Sequence, residues 1–124
     1  IMVSGSKIPK VKITSNLKEA SSKITKYKLG LAIVTKKNIV AGILTDGDAR
    51  RSLRYNLKPQ NLTKIMTPNP LFISENSTAS KALAIMNKKK ITSLLVTSEK
   101  DLNKKNKKLK GIIHIHFLSQ NGIN

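Results

Sequence analysis

Gly42-Ile43-Leu44-Thr45-Asp46-Gly47-Asp48-Ala49-Arg50-Arg51 reads as the end of a short buried strand, Ile39 to Leu44, that stops at a polar turn. A helix with two arginines in its first turns then opens. A strand feeding a helix N-terminus aims backbone N–H groups and the positive end of a helix dipole at one spot. Such a spot suits an anion or a ribose-phosphate. The chain has six acidic residues, and two of them, Asp46 and Asp48, lie here. Thr45 can donate or accept a hydrogen bond, Asp48 can accept two hydroxyls at once, and Arg50 and Arg51 can grip phosphate or carboxylate in forked geometry. The plainer alternative is that Asp-Gly makes the turn and Asp48 caps the helix.

Upstream of this stretch, Leu31-Ala32-Ile33-Val34 is a continuous apolar run of strand length, with Lys36-Lys37-Asn38 as the turn between the two strands. Before it, Leu17, Ala20, Ile24 and Tyr27 mark one face of a helix to about Lys28. Thr14-Ser15-Asn16 supplies its N-cap and Gly30 its C-terminal stop. Val11-Lys12-Ile13, after Pro9, alternates as a half-exposed strand does. Downstream, the helix after Asp48 is expected to run to Tyr55 or Asn56, before Pro59.

The pattern then starts again. Ile65-Met66 repeats Ile1-Met2, and Leu71-Phe72-Ile73-Ser74 is a strand after Pro70. Asn76-Ser77 caps a helix with Ala79, Ala82, Leu83 and Met86 on its apolar face. A shift of 62 positions puts Val11 on Ile73, Ala20 on Ala82, Ile24 on Met86 and Val34 on Val96. A polar loop from Ser98 to Lys108, seven residues longer than its counterpart, then brings Gly111-Ile112-Ile113-His114 onto Gly42-Ile43-Leu44-Thr45. Each half is strand, helix, strand, strand, helix, in a mixed α/β (α+β) chain, with residues 1–58 as the first domain and 59–124 as the second. Units of about 60 residues are marginal alone and are expected to bury their sheets against each other, with related clefts at the seam. The lysines from Lys100 to Lys110 are expected to be solvated and mobile.

Composition sets the outer bounds. At 124 residues with 39% hydrophobic and 3% aromatic content, aliphatic side chains must make the core. The absence of cysteine excludes disulfide and thiolate chemistry. No apolar run approaches the roughly 20 residues that span a bilayer, and no signal-peptide pattern opens the chain, so a cytoplasmic protein is expected. It starts Ile1-Met2-Val3, which suggests a piece of a longer chain. The net charge of +18 invites nucleic acid, but nearly all of it is lysine spread along the chain, in a lysine-, asparagine- and isoleucine-rich composition. No aromatic-basic interleaving accompanies it, so nucleic acid is not the expected partner.

Strand-helix-strand-strand-helix in tandem, with Gly42, Thr45 and Asp48 as G-x-x-T-x-x-D, resembles a pair of CBS domains (a Bateman module). Gly42 to Asp48 with Arg50-Arg51, Ile65-Met66-Thr67-Pro68-Asn69-Pro70, Ile91 to Leu94, Gly111 to His116 and Gly122-Ile123 together resemble the C-terminal regulatory half of bacterial D-arabinose 5-phosphate isomerases of the KpsF/GutQ type. Gly5 to Val11 fits the start of that half. The resemblance implies a parent enzyme interconverting ribulose 5-phosphate and arabinose 5-phosphate, toward Kdo and lipopolysaccharide. Its catalysis would lie in an N-terminal isomerase domain that these residues do not include. It further implies a sensor with no catalytic residue and no required cofactor, which binds a nucleotide (AMP or ATP, CMP or CMP-Kdo) and dimerises through the pair. Two departures stand out: Ala49 where leucine is usual, and Phe117 where the second half should carry the aspartate that takes ribose hydroxyls.

The ligand-binding candidates are therefore Thr45, Asp46, Asp48, Arg50 and Arg51, with Thr67 before the second half's first strand. Leu31, Ala32, Ser93 and Leu94 are expected at the cleft edges, giving backbone groups and apolar walls. His114 and His116, alternating on a strand end, could line the second cleft, make a subunit contact, or ligate a metal. No cysteine or carboxylate stands near enough in sequence to complete a metal set, so no metal is expected. No nucleophile stands beside a base, which argues against an enzyme in its own right. The rival class is an oligomerisation scaffold with degenerate pockets.

Overall fold

The computed structural model describes residues 2–54 and 62–120. A 3-10 turn (Gly5–Lys7) leads into β1 (Lys10–Lys12), α1 (Leu17–Tyr27), β2 (Leu31–Lys36), β3 (Ile39–Thr45) and α2 (Asp46–Arg54). Then come α3 (Leu62–Ile65), β4 (Thr67–Pro68), β5 (Phe72–Ser74), α4 (Ala79–Lys89), β6 (Ser93–Thr97), β7 (Gly111–His114) and α5 (Ile115–Gln120). The expected end of α2 at Tyr55 or Asn56 falls outside the described residues.

Local chemistry explains the helix boundaries. The Asn16 side chain accepts from the Glu19 N–H at 2.9 Å, and Ala20 and Ile24, four apart, bury one face of α1. The helix stops at Lys28, in the left-handed conformation at φ 57°, whose N–H returns to the Ile24 carbonyl at 3.2 Å. Gly30 is thus not the cap. It is a second left-handed residue, at φ 75°, that turns the chain into β2. For α4 the N-cap is Thr78, which accepts from the Lys81 N–H at 3.1 Å, and not Asn76-Ser77. Those two N–H groups instead close a turn on the hydroxyl and carbonyl of Ser74.

By its contacts the chain divides into two units, one of Ser6–Pro70 and one of Ile1–Gly5 with Leu71–Asn124. In the first, the strand order is β1-β2-β3-β4, parallel between β1 and β2 and antiparallel thereafter. In the second it is β5-β6-β7, parallel and then antiparallel. The repeat read in sequence is a repeat of register: Val11 lies opposite Val34 as Ile73 lies opposite Val96, and Gly42 opposite Val34 as Gly111 opposite Val96. Each unit has its own aliphatic core. Val11, Ala20, Ile24, Ala32 and Val34 are matched by Ile73, Ala82, Met86, Leu94 and Val96, joined by Leu62 in one and Leu118 in the other.

The extra seven residues, counted between the equivalent pairs Val34–Gly42 and Val96–Gly111, fall in one place. Lys37 and Asn38, both with positive φ, join β2 to β3 as a two-residue hairpin turn, whereas residues 98–110 join β6 to β7. The lysines of that loop are mostly exposed, as expected, but its backbone is tied. Asp101 donates its N–H to the Ser98 carbonyl and hydroxyl, both at 3.1 Å, the Thr97 hydroxyl donates to the Lys108 carbonyl at 2.8 Å, and Lys107 sits over the Phe72 ring at 5.4 Å.

Each sheet is completed by a distant segment. Thr67-Pro68 is strand β4 on Gly42 and Ile43, and Val3 exchanges two backbone bonds with Ile112 at 2.8 and 2.9 Å. Both contacts need glycine. A Cβ on Gly42 would stand 2.7 Å from the Thr67 carbonyl and 2.9 Å from the Met66 sulfur; on Gly111 it would stand 2.6 Å from the Val3 carbonyl and 2.7 Å from the Met2 sulfur. Gly42→Ala and Gly111→Ala should therefore each cost about 1–3 kcal/mol in urea unfolding, the usual size of overpacking. Unchanged midpoints would show that these approaches are not tight.

Candidate functional site

The strand-to-helix junction is a reciprocal cap. Thr45 is the last residue of β3 and α2 begins at the next residue, Asp46, with no intervening turn. The Thr45 hydroxyl accepts from the Asp48 N–H at 3.1 Å, and the Asp48 carboxylate accepts from the Thr45 N–H at 3.0 Å. The Asp46 N–H goes to the Gly30 carbonyl at 3.0 Å. Two of the N–H groups expected to face an anion thus already have internal acceptors.

Asp48 is 6% exposed, and its carboxylate is the hub of the first unit's junction. Oδ2 takes the Thr45 N–H and also the Thr67 hydroxyl, at 3.1 Å, and Oδ1 takes the Arg51 guanidinium. Arg51 itself is 64% exposed at the side chain, so it closes over the carboxylate from the solvent side. Asp46 and Arg50 are exposed and make no contact with this hub among the described hydrogen bonds. Leu31 is buried and pairs with Thr45 across the ladder. Ala32, expected to wall a cleft, is fully buried in the core with Val11 and Ala20, which leaves its backbone as the group it can offer. Leu94 is likewise in the core of its own unit.

The corresponding junction of the second unit is built from different groups. His114 ends β7 and His116 is the second residue of α5, so of the two arrangements open to them, one face of a strand end or either side of the turn into the last helix, the structure has the second. Their rings stack at 4.8 Å with 21° between planes, and His114 Nδ1 accepts the His116 N–H at 3.2 Å. Ser93 pairs with His114 across the ladder, and its Oγ is buried without a hydrogen-bond partner among the described residues. Burial, and secondarily the charge of His116, hold His114 below the ordinary imidazole value of 6.5. Among the described residues no cluster of three metal-ligating side chains occurs, and no helix is long and apolar enough to cross a membrane.

Of the sequence candidates, Thr45, Asp48, Arg51 and Thr67 come together in one unit, and Ser93, His114 and His116 in the other. The Thr67 side chain and the capping role of His114 were not read from sequence. The T-x-x-D spacing carried the signal for the reciprocal cap, but nothing local signals a partner nineteen residues away. A groove of about 1080 Å³ lies at the opposite end of β2, among Lys12, Ile13, Asn16, Glu19, Thr35 and Lys37, and includes none of these candidates.

The hub has a stability signature. Asp48→Ala leaves the Thr45 N–H and the Thr67 hydroxyl without their acceptor and should cost about 1–3 kcal/mol. Arg51→Ala, at a largely exposed group, should cost under about 1 kcal/mol. Paired denaturation curves check both, and equal losses would mean that the ion pair, not the cap, carries the junction.

Comparison with known proteins fits this architecture. A sequence model of the CBS domain matches residues 1–55 and again 62–116. An uncharacterised protein of Rickettsia prowazekii is 36% identical over 99% of this chain and 37% of its own length. Arabinose 5-phosphate isomerase KdsD of Escherichia coli is 31% identical over 99% of this chain and 36% of its length. KdsD of Francisella tularensis is 39% identical over 77% of this chain and 30% of its length. The chain thus spans about a third of the curated relatives it matches. Among solved structures, CBSX2 in complex with AMP superposes with a TM-score of 0.78 at 19% identity, covering 98% of this chain and 91% of that one. The CBS pair of protein MJ0100, in complex with 5′-methylthioadenosine and S-adenosyl-L-methionine, reaches 0.80 at 18%, covering 97% and 91%. The chain belongs to the CBS-domain family, as a tandem pair similar to the corresponding third of the KdsD arabinose 5-phosphate isomerases.

Proposed function

We propose that this pair is the regulatory region of an arabinose 5-phosphate isomerase of Kdo and lipopolysaccharide synthesis, sensing a nucleotide or nucleotide-sugar in the cytoplasm. The observation that carries the reading is the Asp48 hub. Its carboxylate is held in place by the Thr45 N–H, while its other partners, the Thr67 hydroxyl and the Arg51 guanidinium, are side chains that can rotate aside. A ribose diol presents two hydroxyl donors that would replace them, and the released Arg51, with Arg50, would meet a phosphate. Structural neighbours that hold AMP and adenosine derivatives support the ligand class. CMP-Kdo, the activated end product of the route, is an attractive ligand because feedback by it makes metabolic sense. The ligand would act by differential affinity for two placements of the attached isomerase domain, without chemistry of its own.

A scaffold reading is favoured by the second half alone, where His114 and Phe117 stand at the sequence positions of Thr45 and Asp48. Titration calorimetry with AMP, ATP, CMP and CMP-Kdo distinguishes the two. At least one should give saturable heat, and Asp48→Asn should weaken it roughly tenfold to over a hundredfold, the loss of a charge-assisted hydrogen bond of about 1.5–3 kcal/mol. No heat from any of them with folded protein, together with a tight dimer in sedimentation, would establish the scaffold instead.

A further inference from the structure

The two junctions use the same device with different chemistry. Thr45 closes β3 and accepts the Asp48 N–H at the start of α2; His114 closes β7 and accepts the His116 N–H at the start of α5. A threonine hydroxyl accepts at any ordinary pH. An imidazole accepts only through a bare ring nitrogen, so His114 must be neutral with its proton on Nε2. We propose that His114 makes the start of α5 a proton-sensitive cap, engaged while its ring is neutral and released when Nδ1 takes a proton.

The surroundings work in the same direction. His116, stacked at 4.8 Å, would place a second positive charge against a protonated His114. Among the described residues, the carboxylates of this unit, Glu75, Glu99 and Asp101, lie outside its strands and helices, in the segments after β5 and β6. Residues 93–97 of β6, the rest of β7 and residues 2–4 carry no titratable side chain, α5 carries only His116, and Lys81, Lys88 and Lys89 of α4 are exposed cations. His114 is 8% exposed, so its charged form also loses hydration. Burial first, and then the charge of His116, lower its pKa below 6.5. A depressed folded-state value means that the unfolded chain binds more protons as the pH falls below about 6.5, so stability is full above that value and declines toward the folded-state pKa. The described part of α5, Ile115–Gln120, is a single short run whose first turn depends on its cap, so the loss of that cap should be felt in the amides that follow it.

The test needs no ligand and is independent of the sensing function. In the 124-residue chain, protection of the Ile115 to Leu118 amides, corrected for intrinsic exchange, should fall about fivefold or more between pH 7.5 and pH 5. His114→Asn, whose side-chain oxygen can cap without titrating, should flatten that dependence, and His116→Gln should move its onset to higher pH. In the unsubstituted chain, the His116 amide resonance should titrate with the same midpoint as the His114 ring, which keeps the test valid even if a variant fails to fold. A His116 amide indifferent to the His114 titration, or an undiminished pH dependence in His114→Asn, would overturn the proposal.

Discussion

In each unit a lead-in segment crosses the sheet directly over a glycine, and much of the rest depends on that crossing. Over Gly42 the chain brings Met66 and Thr67; over Gly111 it brings Met2 and Val3. Without a side chain at those positions, the lead-in segments can lie against the sheet at hydrogen-bonding distance, pairing Thr67 with Ile43 and Val3 with Ile112. The same approach delivers the Thr67 hydroxyl to Asp48. A structural constraint at Gly42 is therefore also a constraint on the candidate site. The motif G-x-x-T-x-x-D can be understood physically: glycine admits the crossing segment, threonine caps the helix, and aspartate joins the two.

The junctions illustrate how a duplicated frame comes to hold unequal sites. Register, core positions and helix boundaries are kept between the units, because each aliphatic contact depends on spacing and volume that substitution among Ala, Leu, Ile, Val and Met can preserve. The junction side chains face no such demand beyond capping a helix. Thr45 with Asp48 meets it through a carboxylate network, and His114 meets it with a ring nitrogen. Both satisfy the helix start, but they differ in what else they can recognise and in how they respond to protons.

Spacing and residue type set most of the frame. The 62-residue repeat, the apolar positions Ala20, Ile24, Val34 and their partners, and the Asn16 cap all depend on contacts within a few residues or on strand periodicity, so they are written locally. The helix ends were less legible. Lys28 and Lys90 adopt the left-handed conformation that glycine usually signals, so the end of α1 near Lys28 is legible in the sequence but its cap is Lys28 and not Gly30. Asn76-Ser77 looked like a cap because its residue types are right, but the Ser74 turn claims their N–H groups.

By itself, the sequence determined that two similar α/β units exist, where their cores lie, and that Thr45 and Asp48 sit together at a strand-helix junction. Tertiary structure alone decided that Asp48 is engaged by Thr67 and Arg51, that Ala32 belongs to the core, and that the two histidines stack with one capping the next helix. The physical reason is one of range. Periodicity and capping are set by neighbours along the chain, whereas the partners of a buried carboxylate or imidazole depend on which distant segment the glycines allow to come near.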